Sequence, residues 1–312
     1  MRVPANLTAA LVDIARFSLA TRDLGSSAVG RMKLTDEQYR KVMRQGWNLT
    51  PGIYDRVWTP VLREYSIGCI ERAPVRPGDR VIDVATGPGT AALLASERTG
   101  ESGFVLGVDI SDRFVEVATA AAAARPNVRF ERHPMEQLGL RDHEFQAAIC
   151  VLGLMFAAPP ELAFGEIARV LAPGGRFAGC VWGRRERCGF REMFSILGDH
   201  LQMEVCPLFF ALGVPGAFAR ALERGGFSEA REERVETVLH WCGRDEACAA
   251  VFDGGPGALP FSMFDDEQRR EVCDKFVASL EPYRRGTAFE VPAEFVYASA
   301  RLPPASGSKT PS

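Results

Sequence analysis

The chain has 312 residues, 46% of them hydrophobic and 25% charged, with a formal net charge of −3. That length suits one large domain or one domain with an insertion, and the near balance of charge leaves no electrostatic footprint for nucleic acid or an anionic membrane. No apolar stretch approaches a membrane span, Asp13 and Arg16 break up the N-terminal apolar residues of any signal peptide, and eight cysteines without a C-x-x-C pair read as reduced thiols of a cytoplasmic protein with no metal site.

Residues 5–22 have Leu7, Leu11, Ile14, Ala15 and Leu19 near helical spacing, and Gly25 to Gly30 reads as a link. A second helix is expected over about 35–45. An aromatic stretch follows, Gly46-Trp47-Asn48-Leu49-Thr50-Pro51-Gly52-Ile53-Tyr54-Asp55-Arg56-Val57-Trp58, broken by Pro51 and Gly52. Val81-Ile82-Asp83-Val84 then reads as a buried strand, and Ala85-Thr86-Gly87-Pro88-Gly89 as a loop. Thr90 to Arg98 has a helix former at nearly every position. Strand, glycine turn and helix make the first unit of a nucleotide-binding α/β sheet. The glycines remove side chains where a ligand must touch backbone, and the helix start offers free N–H groups.

The second strand, Gly103 to Ile110, ends in Asp109, about 20 residues beyond the glycine loop, where a carboxylate can accept bonds from both hydroxyls of a ribose. Ser111 is the expected N-cap of a helix from Asp112 to about Ala124. Asn127 to Arg132 is strand three, and Phe145 to Val151 is strand four. Pro159-Pro160 opens a helix through Leu171, and Leu171-Ala-Pro-Gly-Gly-Arg176 turns into strand five, Phe177 to Trp182. Pro215 to Gly226 reads as a helix, and Arg234 to Trp241 and Ala293 to Arg301 as strands.

Two ligand classes fit the glycine loop. Gly87-x-Gly89-x-x-Ala92 satisfies the loose dinucleotide fingerprint. Asp83-Val-Ala-Thr-Gly-Pro-Gly resembles instead the first motif of class I S-adenosylmethionine-dependent methyltransferases. The helix, the Pro-Gly-Gly turn and strand five resemble the same region in methyltransferases of the ubiquinone/menaquinone-biosynthesis type. The resemblance is specific over about 80–182 and looser over 215–301.

It implies a Rossmann-like α/β fold: a seven-stranded sheet, mostly parallel with the last strand antiparallel, flanked by helices. A helical lid over 1–60 would precede a catalytic domain over 61–302, with substrate-covering insertions at about 183–214 and 243–290 and a disordered tail over 303–312. The implied cofactor is S-adenosylmethionine, leaving as S-adenosylhomocysteine, and the partner is a small, fairly apolar acceptor. The N-terminal helix is long enough to cap its own subunit or to exchange with a neighbour in a homodimer.

Carried onto this chain, the glycine loop Ala85, Thr86, Gly87, Pro88 and Gly89 holds the methionine portion. Asp83 meets its amino end, and Asp109 takes the ribose. Ile110 and Met135 sandwich the adenine, Glu136 stands beside them, and Val151 lies near the methyl group. Tyr54 and Trp47 are the lid contacts. Two departures bear on the adenine: Pro134 stands where the family often has an aspartate, and Gln146 replaces the usual aspartate of strand four. His133 is a further polar neighbour.

Methyl transfer needs alignment and exclusion of water and no metal; only a phenol, alcohol or carbon acid gains from a general base. His240 is the candidate base, with His200 next and Tyr283-Arg284-Arg285 as an anion contact. Phe190, Met193, Phe194, Phe209, Phe210, Phe261, Met263 and Phe264 supply core and acceptor pocket. The rival readings are a methyltransferase-fold protein that catalyses cyclisation or rearrangement, a nicotinamide oxidoreductase, and a non-enzymatic binding protein.

Overall fold

Residues 35–201 and 205–304 are described by the computed structural model. The helix expected over 5–22, the link after it and the tail beyond 304 lie outside them. Eight strands form one sheet in the order β3-β2-β1-β4-β5-β8-β6, with the short β7 paired to β8. These are β1 Arg80–Val84, β2 Phe104–Asp109, β3 Val128–Arg132, β4 Phe145–Val151, β5 Leu171–Trp182, β6 Ser228–Trp241, β7 Arg284–Arg285 and β8 Ala288–Arg301. The pairs β1–β2, β2–β3, β1–β4 and β4–β5 are parallel. The last strand, β8, runs antiparallel to both β5 and β6 and lies between them. A dinucleotide sheet of order 3-2-1-4-5-6 has no such inserted strand.

Strand order reverses between β1 and β4, so their carboxyl ends diverge and leave a crevice at that edge. The central strands are buried on both faces: Val81, Ile82, Val105, Phe145, Ile149, Phe177 and Phe295 have no exposure. Burial of such apolar runs contributes most of the sheet's stability, at roughly 25 cal/mol per Å² of apolar area.

Three strand boundaries differ from the expected ones. β5 begins at Leu171, which pairs with Phe145; the Pro-Gly-Gly turn is absorbed as a register shift before Ala147 pairs with Arg176. β6 begins at Ser228, six residues earlier than its apolar alternation suggested. It is the sheet's edge, where charged residues such as Glu229, Arg231 and Glu233 protect an open ladder from foreign strands. β8 begins at Ala288 because residues 284–289 fold back as a hairpin with β7.

Among the described residues, three helices precede the sheet. The first, Asp36–Trp47, opens on a reciprocal cap: the Gln38 N–H donates to Thr35 Oγ1, and the Thr35 N–H donates to Gln38 Oε1. The second, Pro51–Val57, starts on proline, and the third, Thr59–Arg72, runs across residue 60 without a break. Between β6 and β8 lie the helices Arg244–Cys248, Ala258–Ser262 and Asp266–Ser279 and a π-turn over Ala249–Asp253. The Trp58 indole N–H donates to the Ala250 carbonyl at 2.9 Å, tying the N-terminal helices to this insertion.

Candidate active site

Three adjoining cavities occupy the crevice at the carboxyl ends of β1, β2 and β4. The largest, about 650 Å³, is lined by Ala85, Gly87, Asp109, Ile110, Met135, Glu136 and Val151 from the sheet side. Tyr39, Arg40, Met43, Trp47 and Tyr54 close it from the N-terminal helices. A second, about 340 Å³, lies deeper and is lined by Tyr54, Thr59, Ser66, Asp83, Thr86, Gly87, Pro88 and Val151 among others. The third, about 410 Å³, is almost wholly apolar and includes Trp58, Trp182, Phe190, Met193 and Phe209 in its wall. Tyr54 lines all three.

The lid helix is held by specific bonds. Arg44 Nε donates to Asp112 Oδ2 at 2.7 Å, the Ser111 hydroxyl donates to Asn48 Oδ1 at 2.7 Å, and the Tyr39 hydroxyl donates to the Phe156 carbonyl at 3.1 Å. Trp47 packs edge-on to Phe156 and to Tyr54, with ring centroids 5.0 and 6.1 Å apart. Ser111 also caps the helix Asp112–Ala121 by accepting the Phe114 N–H.

Asp109 closes β2 and is buried. Its Oδ2 accepts the Gly87 N–H and its Oδ1 the Ser111 N–H, each at 2.9 Å. A carboxylate has about four acceptor positions, so two remain for hydroxyl groups in the cleft. Burial raises its pKa to about 6, against which the backbone bonds from Ser111 and Gly87 act. Asp83 is also buried. Its Oδ2 accepts the Thr86 hydroxyl at 2.6 Å, while its Oδ1 has no partner. Burial pushes the Asp83 carboxyl up to about 7, with the Thr86 bond opposing. Thr59 Oγ1, in the same deep cavity, also lacks a partner. Asp83 and Thr59 thus bring two buried side-chain oxygens without a partner to the wall of one cavity, where a donor group such as an ammonium would fit the chemistry of the carboxylate.

The two loop glycines serve different ends. Gly87 has φ +55°, and a Cβ there would meet nothing within 4 Å: the space beside it is open cleft. Gly89 has φ +89°, and a Cβ there would lie 2.9 Å from Phe130 Cζ. Gly89 lines none of the three cavities and is the packing contact that seats the helix Thr90–Thr99.

Of the other candidate residues, Ala85, Gly87, Asp109, Ile110, Met135, Glu136, Val151 and Tyr54 gather around the largest cavity, joined by His133. Asp83, Thr86 and Pro88 line the deep one. Glu136 Oε1 accepts the Ala158 N–H at 3.3 Å, and burial raises its pKa. Gln146 is not at the site: it sits at the opposite end of β4 and accepts the Arg80 N–H at 2.9 Å, so its departure from the family has no bearing on adenine.

His240 is corrected too. Along β6, Leu239 and Trp241 are buried, so the two-residue period turns His240 outward, where it is exposed beside Glu290. His200 packs near Phe264, away from all three cavities, and Arg284 pairs with Glu281. Among the aromatic candidates, Phe190, Met193 and Phe209 reach the apolar cavity; Phe261 and Phe264 pack against each other with centroids 6.3 Å apart. Sequence reasoning missed Tyr39 and Met43, although Tyr39, Met43 and Trp47 recur at four-residue spacing, one stripe of a helix. It also missed Thr59, Ser66 and Trp58, which carry no local signal, whereas Ala250, Val251, Gly254, Gly255 and Pro256 of the apolar cavity fall inside the insertion expected over 243–290.

Comparison with known proteins agrees with this geometry. Residues 81–175 match the family model described as a methyltransferase domain. The ubiquinone/menaquinone biosynthesis C-methyltransferase UbiE of Azotobacter vinelandii is 39% identical over 110 residues, 34% of this chain and 44% of that protein, so less than half of that relative is matched. Nocamycin O-methyltransferase of Saccharothrix syringae is 25% identical over 279 residues, covering 82% of this chain and 97% of the other. In fold, the [4+2]-cyclase SpnF aligns over 87% of this chain and 97% of its own, with 17% identity and a TM-score of 0.57. The YcgJ protein of Bacillus subtilis aligns over 77% and 99%, with 17% identity and a TM-score of 0.54.

The methyltransferase-domain match over residues 81–175 thus falls on the strands and loops whose carboxyl ends form the cleft. Over part of its length the chain resembles methyltransferases of ubiquinone and menaquinone biosynthesis.

Proposed function

We propose that this enzyme methylates a small, largely apolar acceptor at a carbon, oxygen or nitrogen nucleophile. One observation carries the reading: an apolar cavity adjoins the cleft at the strand ends and shares four lining residues with it, Trp47, Tyr54, Leu152 and Phe156. When bound, S-adenosylmethionine supplies an electrophilic methyl: the acceptor's electron pair forms the new bond, the carbon–sulfur pair stays on sulfur, and the acceptor's proton leaves to water. The protein's part is alignment and exclusion of water.

In this reading Asp83 holds the amino group in the deep cavity, and Asp109 holds the ribose through its two free acceptor positions. Ile110 and Met135 flank the adenine. Glu136 replaces the aspartate lost at Pro134, since it is the only other carboxylate lining that cleft. Val151 borders both the large and the deep cavity and so stands near the transferred methyl. The eight cysteines are unpaired, which supports work in a reducing, cytoplasmic setting.

Calorimetry with S-adenosylmethionine, S-adenosylhomocysteine and NAD(H) tests the reading. Micromolar binding of the two adenosyl ligands and none of NAD(H) is the expected result, followed by a methyl-sized mass gain in an acceptor screen. Binding of NAD(H) alone would overturn it.

A pH effect follows from Asp83. Burial raises its pKa to about 7, so it is partly protonated at neutral pH. An ammonium group placed against Oδ1 favours the carboxylate and expels that proton. Binding of S-adenosylhomocysteine near pH 7 should therefore release a fraction of a proton, seen as a dependence of binding enthalpy on buffer ionisation enthalpy. Asp83→Asn should abolish the release. For the empty protein the sign is the reverse of an ordinary paired carboxylate. The raised pKa makes the folded state bind more protons, so Asp83 lowers stability as pH rises from about 4 through about 7.

A further inference from the structure

All eight cysteines are free thiols. Cys69, Cys150 and Cys180 have no exposure, and burial pushes each thiol up. Burial does the same to Cys188 and Cys206. Cys242 is exposed, but its bond with the Glu246 carboxylate also raises its pKa. Cys273 alone moves down. It is half-buried on the helix Asp266–Ser279 and meets Cys248, the last residue of the helix Arg244–Cys248. Cys248 Sγ lies 4.0 Å from the Cys273 carbonyl oxygen. The two thiols also share a hydrogen bond in which Cys248 keeps its proton, and that bond favours the Cys273 thiolate. Arg244 stands one turn before Cys248 and adds a positive charge. Its Nη1 donates to Asp274 Oδ1 at 2.5 Å, which holds it beside the residue next to Cys273. Partial burial, Asp253 and Asp274 act the other way without reversing the direction.

We propose that Cys273 and Cys248 form a peroxide-sensitive dithiol, in which Cys273 is oxidised first and Cys248 resolves it into a disulfide. The thiolate is the reactive form of cysteine, and it is found where a cation and a donor stand beside a partly exposed sulfur. Cys273 has all three: Arg244, the Cys248 thiol and an opening to solvent. The Cys273 sulfur attacks one oxygen of hydrogen peroxide. The oxygen–oxygen bond breaks, sulfur is oxidised to a sulfenic acid, and the other oxygen leaves as hydroxide, which takes up the proton that the thiol had released. Cys248 then loses its proton and attacks the sulfenic sulfur. The sulfur–oxygen bond breaks, water leaves, and the sulfur–sulfur bond forms. Two thiols and one peroxide thus give one disulfide and two waters. A reducing compartment makes such a bond transient, and a thiol reductant restores the pair. The bond also reaches the site. Cys248 directly precedes the π-turn Ala249–Asp253, whose Ala250 carbonyl accepts the Trp58 indole N–H, so oxidation ties that turn to the helix Asp266–Ser279. The proposal is independent of the donor and acceptor assignments above.

The test treats the reduced full chain with hydrogen peroxide, blocks the remaining thiols by alkylation and maps tryptic peptides by mass. Arg269 and Arg270 stand between the two cysteines, so they fall in separate peptides and a bridge is seen directly. The expected product is a Cys248–Cys273 linked pair that dithiothreitol separates. Cys248→Ser should stop the reaction at a Cys273 sulfenic acid, trapped by dimedone, whereas Cys273→Ser should give neither the bridge nor a dimedone adduct at Cys248. Arg244→Gln should slow oxidation of Cys273 about threefold, because less of it is thiolate. Where a serine variant does not fold, alkylation of each cysteine in the wild-type chain decides the order: Cys273 should react ahead of Cys242, although Cys242 is the more exposed. The proposal falls if peroxide gives no Cys248–Cys273 peptide, if Cys242 reacts ahead of Cys273, if Cys248 rather than Cys273 takes the dimedone, or if Arg244→Gln leaves the rate unchanged.

Discussion

Asp109→Ala is expected to lower the affinity for S-adenosylmethionine about 100-fold. The carboxylate is buried at the end of β2 with two of its four acceptor positions taken by the Gly87 and Ser111 N–H groups. Asp109 lines the cleft, and its remaining acceptor positions are the proposed ribose contacts. Hydrogen bonds to a charged group contribute about 1.5–3 kcal/mol each, so losing two gives at least about 3 kcal/mol, or ~100-fold. Alanine also frees the Gly87 N–H, which loosens the glycine loop. Asp109→Asn separates the two effects: it keeps the volume and one acceptor but loses the charge. Calorimetry on both variants, with thermal unfolding as the control for folding, checks the assignment. Unchanged affinity in a folded Asp109→Ala protein would remove Asp109 from the binding site.

The second large effect divides the glycine loop. Gly89→Ala should destabilise the fold by about 3 kcal/mol. Placing a side chain at φ +89° costs about 1–2 kcal/mol, and forcing its Cβ against Phe130, 2.9 Å away, adds about 1–3 kcal/mol. That corresponds to a drop in Tm of roughly 6–12 °C for a chain of this size. Gly87→Ala pays only the conformational cost, about 1–2 kcal/mol, because its Cβ enters open space. That space is the donor cleft, so cofactor affinity should fall about tenfold or more, as a methyl group displaces bound ligand. One substitution thus damages the fold and the other the site, although they lie two residues apart. Equal losses of Tm in the two variants would show that the open space at Gly87 is not a ligand cradle.

The donor half of the site was legible because its signals are local. A strand ending in Asp83, a glycine loop and an aspartate about 20 residues on are read from adjacent residues. The parallel sheet then brings those strand ends together without further information. The departures were misread where sequence neighbours are not spatial neighbours. Gln146 looked like a motif position, yet it faces Arg80 at the far end of β4. His240 was the most suggestive histidine, but β6 is an edge strand whose period turns it to solvent. Gly89 belonged to the fingerprint and proved to be a packing contact.

The sequence by itself indicated an α/β sheet and the glycine loop with Asp83 and Asp109 as candidate donor contacts, because periodicity and a glycine turn act within one supersecondary unit. Only the tertiary structure decided the acceptor cavity. Its wall draws Trp47 and Trp58 from before β1, Trp182 from the end of β5, Phe190 and Phe209 from the next segment, and Ala250, Val251, Gly254, Gly255 and Pro256 from the insertion. Apolar side chains carry no spacing that distinguishes a cavity wall from a core. Which of them face an opening depends on how the lid and the insertion close over the sheet, here fixed by the Trp58–Ala250 bond and the Arg44–Asp112 and Ser111–Asn48 contacts.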